Sequence, residues 1–170
     1  MASEAQKSLA DFFDRLEKAV KSTASAQAKK FVAQKAVEII RRRTLLGGSV
    51  SEFLGRRGKL KALSPRYREF RTNFDLLSNK TTPNKSNLTL TGQMLDSLRV
   101  KSVRADEIII GPTGSRNDSD LTNAQVAAFV EEQGRPFLNL SDLEFKQLLR
   151  IYRQQFTDLL KRARVSYRPR

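Results

Sequence analysis

Apolar residues recur at helical spacing through the first quarter of the chain. Leu9, Phe12, Phe13, Leu16 and Val20 form one stripe. The stripe thins to Ala24 and Ala28, then resumes with Phe31, Val32, Ala36, Ile39 and Ile40. This period predicts a helix over Glu4–Arg43, with Ser22–Thr23–Ala24–Ser25 as its one weak point. Arg41–Arg42–Arg43 complement the negative end of the helix dipole, and Gly47–Gly48 stop it. A short helix is expected over Ser51–Leu54. Gly55–Asn87 has no sustained period and reads as a long, mostly irregular basic loop, with a helical turn from Ser64–Pro65 to about Phe70. Thr91 is placed to cap a short helix with Met94, Leu95 and Leu98 on its apolar face. The β-branched residues Val100, Val103, Ile108, Ile109 and Ile110 cluster in two strands, Arg99–Arg104 and Glu107–Gly111, around Ala105–Asp106. A helix follows over Asn123–Gln133. The last runs from Asp142 to about Arg164, with Phe145, Leu148, Leu149, Tyr152, Phe156, Leu159, Leu160 and Ala163 as a stripe expected to pack in the protein's own core.

The two C-terminal helices meet at a corner. Gly134 suits the left-handed position past a helix end, and Pro136 forces Arg135 towards an extended backbone. Ser141–Asp142–Leu143–Glu144 is a capping box. Phe137 and Leu138 are expected to lock the helix ending at Gln133 against the terminal helix. Arg135 is expected to pair with an acidic group, Glu131, Glu132 or a neighbour's carboxylate. The fold class is therefore α+β, with long N- and C-terminal helices flanking a small antiparallel sheet and an extended basic loop. One domain spans 1–170: a helical region 1–46, the loop 55–87, an α+β core with its terminal helix over 88–164, and a basic tail 165–170.

Charge sharpens this outline. The chain of 170 residues carries a net charge of +14, unevenly spread. Ten Lys/Arg against Glu52 and Glu69 give Arg41–Arg71 a net +8, while eight Asp/Glu against Arg116 and Arg135 give Asp106–Glu144 a net −6. Lys161–Arg170 adds five more positive charges. Such a chain can pair with copies of itself, and its basic parts suit nucleic acid. Arg56, Arg57, Arg66, Arg68 and Arg71 interleave with Tyr67, Phe70 and Phe74. That pattern fits a solvated loop, a contact with an acidic protein or a contact with nucleic acid. It lacks any base-reading motif.

Catalytic chemistry finds no foothold. Histidine and cysteine are both absent, which removes the commonest general base, thiolate chemistry and the usual zinc ligands. Glu131 and Glu132 are adjacent on a helix, so their side chains diverge. Asn117–Asp118–Ser119–Asp120 lacks the later positions of a calcium loop. Gly55–Arg56–Arg57–Gly58–Lys59–Leu60 has the wrong spacing for a P-loop. No enzyme activity and no cofactor are expected. Apolar content is 39%, no apolar run reaches bilayer length, and no apolar signal-peptide core follows Met1. No membrane contact is expected.

The order of motifs carries a resemblance. Leu63–Ser64–Pro65–Arg66–Tyr67 is followed by Leu90–Thr91–Gly92–Gln93–Met94–Leu95–Asp96–Ser97–Leu98, a two-strand hairpin, Ala127–Ala128–Phe129–Val130–Glu131–Glu132–Gln133–Gly134, Arg135–Pro136–Phe137–Leu138 and a terminal helix. From Leu63 to Ala163 the chain resembles the tailed-bacteriophage neck and tail-completion proteins, also called virion-morphogenesis or minor tail proteins. The long basic N-terminal half is not diagnostic of that family. The resemblance implies a structural virion subunit, assembled in the host cytoplasm into a homo-oligomeric ring at the head–tail junction. Its partners would be the connector or head-closure ring and the tail tube or tail terminator. Arg56, Arg57, Arg66, Tyr67, Arg68, Phe70, Arg71, Arg135, Phe137 and Leu138 are the candidate subunit or partner contacts. The alternative is a non-specific nucleic-acid-binding protein using 41–71 and 161–170, with weak, salt-sensitive affinity for DNA. A third reading, a free-standing regulator or toxin-like factor, has no site to support it.

Overall fold

A computed structural model describes residues 4–50, 57–104 and 106–166, excepting the side chains of 4–17, 19, 20 and 164–166. Helix α1 runs unbroken over Glu4–Leu45, 42 residues without Gly or Pro. The weak point at Ser22–Ser25 does not break it. Ser25 Oγ lies 3.0 Å from Tyr152 Oη across the helix pair. The alanines that thin the stripe are themselves contact surface. Ala24, Ala28, Ala33 and Ala36 are all buried. Their small side chains let neighbouring elements approach the α1 backbone closely.

Past α1 the chain turns into a two-stranded antiparallel sheet, β1 (Gly48–Val50) with β2 (Arg57–Lys59). Sequence gave no hint of this pairing. The helix expected over Ser51–Leu54 lies outside the described residues. Gly48 is required by a close approach: a Cβ there would sit 2.6 Å from Arg43 Cγ. Helix α2 (Pro65–Thr72) starts where expected, with Ser64 Oγ accepting from Tyr67 N at 3.2 Å.

Helix α3 (Gln93–Asp96) is capped by Gly92 at φ +82°, not by the Thr91 side chain. The Thr91 hydroxyl instead accepts from Arg116 Nη2 at 3.3 Å. The hairpin β3 (Leu98–Val103) and β4 (Ile108–Pro112) forms as predicted, with a bulge between Val100 and Ser102. Helix α4 (Asn123–Glu132) begins in a Thr122–Gln125 capping box. Helix α5 (Asp142–Ser166) packs along α1.

The α+β architecture with long terminal helices is thus the observed one, its strands divided between two small sheets. The core joins Val37 and Ile40 of α1, Met94 and Leu95 of α3, Leu98 of β3, Ala127 of α4 and Phe137. A second cluster joins Val32 and Ala36 to Leu148 of α5, with Ile151 and Tyr152 partly buried beside them. Phe137 therefore packs where α4, α3 and β3 meet α1. It does not bolt α4 to α5, because α4 packs on α3 and β4 whereas α5 packs on α1.

Candidate functional site

The corner between α4 and α5 is fixed by its own hydrogen bonds. Gly134, at φ +71°, donates to Glu131 O at 2.9 Å, and Arg135 N donates to Val130 O at 3.3 Å. These two bonds make a Schellman ending, which needs the left-handed residue that glycine supplies. Glu131 then turns back. Its Oε1 accepts from Phe137 N at 2.8 Å and from Leu138 N at 3.1 Å. It is therefore bonded to the corner's own backbone and does not pair with Arg135.

A buried ion cluster braces the far side. Glu144, with no exposed surface, completes the predicted capping box: its Oε2 accepts from Ser141 N at 2.8 Å and Ser141 Oγ at 2.9 Å. The same oxygen lies 2.6 Å from Arg43 Nη1, and Oε1 lies 3.1 Å from Arg57 Nη2. Arg43 Nη2 also donates to the carbonyls of Phe137 and, at 2.8 Å, Asn139. Burial pushes the Glu144 carboxyl upward, but the Ser141 bonds and the charges of Arg43 and Arg57 outweigh it and hold the group below the usual carboxylate range. Burial lowers the Arg43 guanidinium from its ordinary value.

The basic loop is organised around a different buried cation. Arg71 is 2% exposed. It donates from Nη1 to Lys85 O at 2.9 Å and from Nη2 to Thr81 Oγ1 at 2.8 Å. The Thr81 hydroxyl donates to Asn87 Oδ1 at 2.7 Å, and Asn87 Nδ2 reaches Lys80 O at 3.2 Å and Leu45 O at 3.3 Å. Tyr67, Phe70 and Phe74 stack in series, with ring centroids 5.8 and 5.4 Å apart. The loop has few apolar residues for its length. A polar interior takes the place of the missing apolar one.

Between this loop and α4 lies a cavity of about 490 Å³. Lys61, Tyr67, Arg71, Arg116, Phe129 and Arg135 are among its lining residues, and no Asp or Glu is. Arg135 donates from Nη2 to Ala62 O at 3.2 Å, which joins the corner to the loop. Arg116 is neutralised by Asp118, with Nε–Oδ1 and Nη2–Oδ2 distances of 2.8 and 2.7 Å. That hydrogen-bonded pair holds the Asp118 carboxyl below its ordinary range.

A second groove, of about 430 Å³, runs between α1, β4 and α5, with Val32, Ile108, Ile110, Phe145 and Leu149 on its walls. Here the expectation for α5 is corrected. Of its predicted apolar stripe only Leu148 is fully buried, whereas Phe145 is 62% exposed. Phe145 lines this groove from the α5 side and stays largely open to solvent.

The candidate contacts fall into three groups. Arg66, Tyr67, Arg68 and Phe70 are exposed on α2. Arg135 and Leu138 are partly covered, and Arg57 is exposed; Arg57 and Arg135 hold bonds inside the subunit. Arg71 and Phe137 are internal and offer a partner no side-chain surface. Arg56 lies outside the described residues. The nucleic-acid reading loses cations in the same way. Arg41 donates to Leu95 O and Leu98 O, Arg43 and Arg57 hold Glu144, and Arg71 is enclosed. Sequence reasoning missed Arg43, Glu131 and Asn87 as structural centres. Glu144 was visible only as a cap. Among the described residues no acidic cluster is suited to a metal ion, and no helix is long and apolar enough to cross a membrane. Comparison with protein-family models, curated proteins and solved structures finds no match for the chain.

Proposed function

We propose that this chain is a structural subunit of a tailed-phage virion, a neck or tail-completion protein that assembles as a ring joining connector to tail. The family resemblance of 63–163 supplies the identity of the particle. The observation that supports a ring is the presence of two separate unpartnered surfaces. One is the cation-lined cavity with Tyr67 and Phe129 exposed at 36% and 61%, and the other is the Phe145–Leu149 groove of α5; they share no lining residue. Two different surfaces on one subunit are what a head-to-tail contact uses, and such contacts close into rings when the rotation per subunit permits. Large exposed aromatics beside arginine have the composition of contact anchors.

The test exploits that geometry. Phe129→Asp and Phe145→Asp should each block one half of the same interface, leaving monomers by analytical ultracentrifugation. A mixture of the two variants should form dimers and no larger species, because each retains the half that the other lacks. Wild-type protein that stays monomeric both alone and with connector, or mixed variants that do not dimerise, would refute the ring. Particles assembled in the host without this chain should accumulate as separate heads and tails.

A further inference from the structure

The guanidiniums of this protein differ in how their charge is met. Arg43 has Glu144, and Arg116 has Asp118. Arg71 is enclosed and has only neutral acceptors, the Lys85 carbonyl and the Thr81 hydroxyl. Its Nε–H has no hydrogen-bond partner. The Tyr67 ring lies 6.0 Å away, a weak compensation. A buried charge without a counter-charge is costly. Arg71 lines the cavity, and so do Arg135, bonded only to a neutral carbonyl, and the exposed Lys61. The influence of Arg135 on Arg71 is repulsive, as between neighbouring cations. The remaining walls are largely apolar or aromatic, with Val126, Phe129 and Tyr67 among them, and carry the neutral polar Ser64, Thr89, Thr91 and Gln133 beside the Asp118-paired Arg116.

We propose that the cavity between the basic loop and α4 is a binding site for an oxyanion carried on an apolar body, with a carboxylate on an aromatic or aliphatic group as its best fit. Arg135 and Lys61 contact the anion. Arg71, fixed behind them, is a positioning residue that supplies uncompensated positive potential. Phe129 and Val126 cover the apolar body. A volume of about 490 Å³ lies in the range that small ligands occupy. Guanidinium donors suit a planar oxyanion, and their attraction is strengthened where water is partly excluded. The chemistry is the same whether the carboxylate belongs to a free small molecule or to an acidic side chain of another copy. The cavity is also one of the two surfaces of the ring reading, but ligand binding is measured on the isolated chain, so failure of the site and failure of the ring are told apart.

Phenylacetate, acetate, inorganic phosphate and the neutral phenylacetamide are titrated into the full chain at constant ionic strength. Binding is followed by calorimetry and by the arginine Nε–H signals in nitrogen-15 spectra. Phenylacetate should bind at least tenfold more tightly than acetate or phosphate, shift the Arg135 and Arg71 signals, and leave phenylacetamide without measurable binding. Arg135→Gln should weaken phenylacetate about tenfold while acetate weakens in parallel. Phe129→Ser, at an exposed position, should erase the preference for phenylacetate over acetate. Equal binding of phenylacetamide, unshifted arginine signals, or a folded Arg135→Gln within twofold of the parent overturns the site. Ultracentrifugation with saturating phenylacetate separates the sources. Loss of self-association assigns the carboxylate to another copy, and unchanged self-association with phenylacetate bound assigns a free small molecule.

Discussion

Glu144→Gln tests how the subunit holds its corner. Glutamine keeps the shape and an acceptor oxygen for the Ser141 amide, so the cap is largely retained. It removes the charge that meets Arg43 at 2.6 Å and Arg57 at 3.1 Å. Arg43 then remains buried beside two carbonyls with no counter-charge, whereas Arg57 is half exposed and is re-solvated. Breaking a buried pair from one side costs about 3–5 kcal/mol. Arg57→Gln should cost less than about 1 kcal/mol, as for an exposed partner. A double variant, Arg43→Met with Glu144→Gln, should recover part of the single loss because no unpaired charge remains. The pH dependence has a fixed sign. The Glu144 carboxyl is held below its ordinary value in the folded chain. Its contribution is therefore complete above the unfolded value of about 4.3 and is lost as pH falls through the lower folded value. Urea unfolding at pH 7 and across pH 5 to 2.5 measures both effects. Glu144→Gln within 1 kcal/mol of the parent at pH 7, or an unchanged acid limb, would refute this account.

Phe137→Ala should lose about 3–5 kcal/mol in the same urea assay, since its ring is fully enclosed between α1, α3, β3 and α4. Gly134→Ala should cost on the order of 1 kcal/mol from the positive φ alone, because an added Cβ meets no atom within 4 Å; a neutral result would mean the corner relaxes freely. Duplex DNA should bind weakly, without sequence preference, and be released by moderate salt in a filter or anisotropy assay, since much of the 41–71 charge is engaged inside the subunit. A salt-resistant footprint on one sequence would reverse that expectation.

The helices and the β3–β4 hairpin were legible because their signals are local. Period, β-branched clustering, the Ser141–Glu144 box and Gly134 each act within a few residues of the structure they specify. The β1–β2 pairing was not legible, because it rests on three-residue strands too short to show alternation. The exposure of Phe145 was misread for a related reason. Helical periodicity identifies which residues share a face, but it does not say how wide a partner the fold supplies. Here α1 and a short hairpin cover the Leu148 line and leave Phe145 outside.

Arginine roles were the hardest to read, and the reason bears on function. In sequence, Arg43, Arg57, Arg66, Arg68 and Arg71 are one basic region. In the fold they divide by the distance to a partner that sequence cannot place: Glu144 lies 101 positions from Arg43 and yet touches it. Summed charge therefore overstates what the surface can offer to DNA. It also conceals the feature of most chemical interest. Arg71 and Arg135, 64 positions apart in sequence, line one cavity that has no carboxylate in its walls. A stretch rich in cations thus becomes one braced corner and one cavity of unmet positive charge, and only the second has a reason to attract something from outside the subunit.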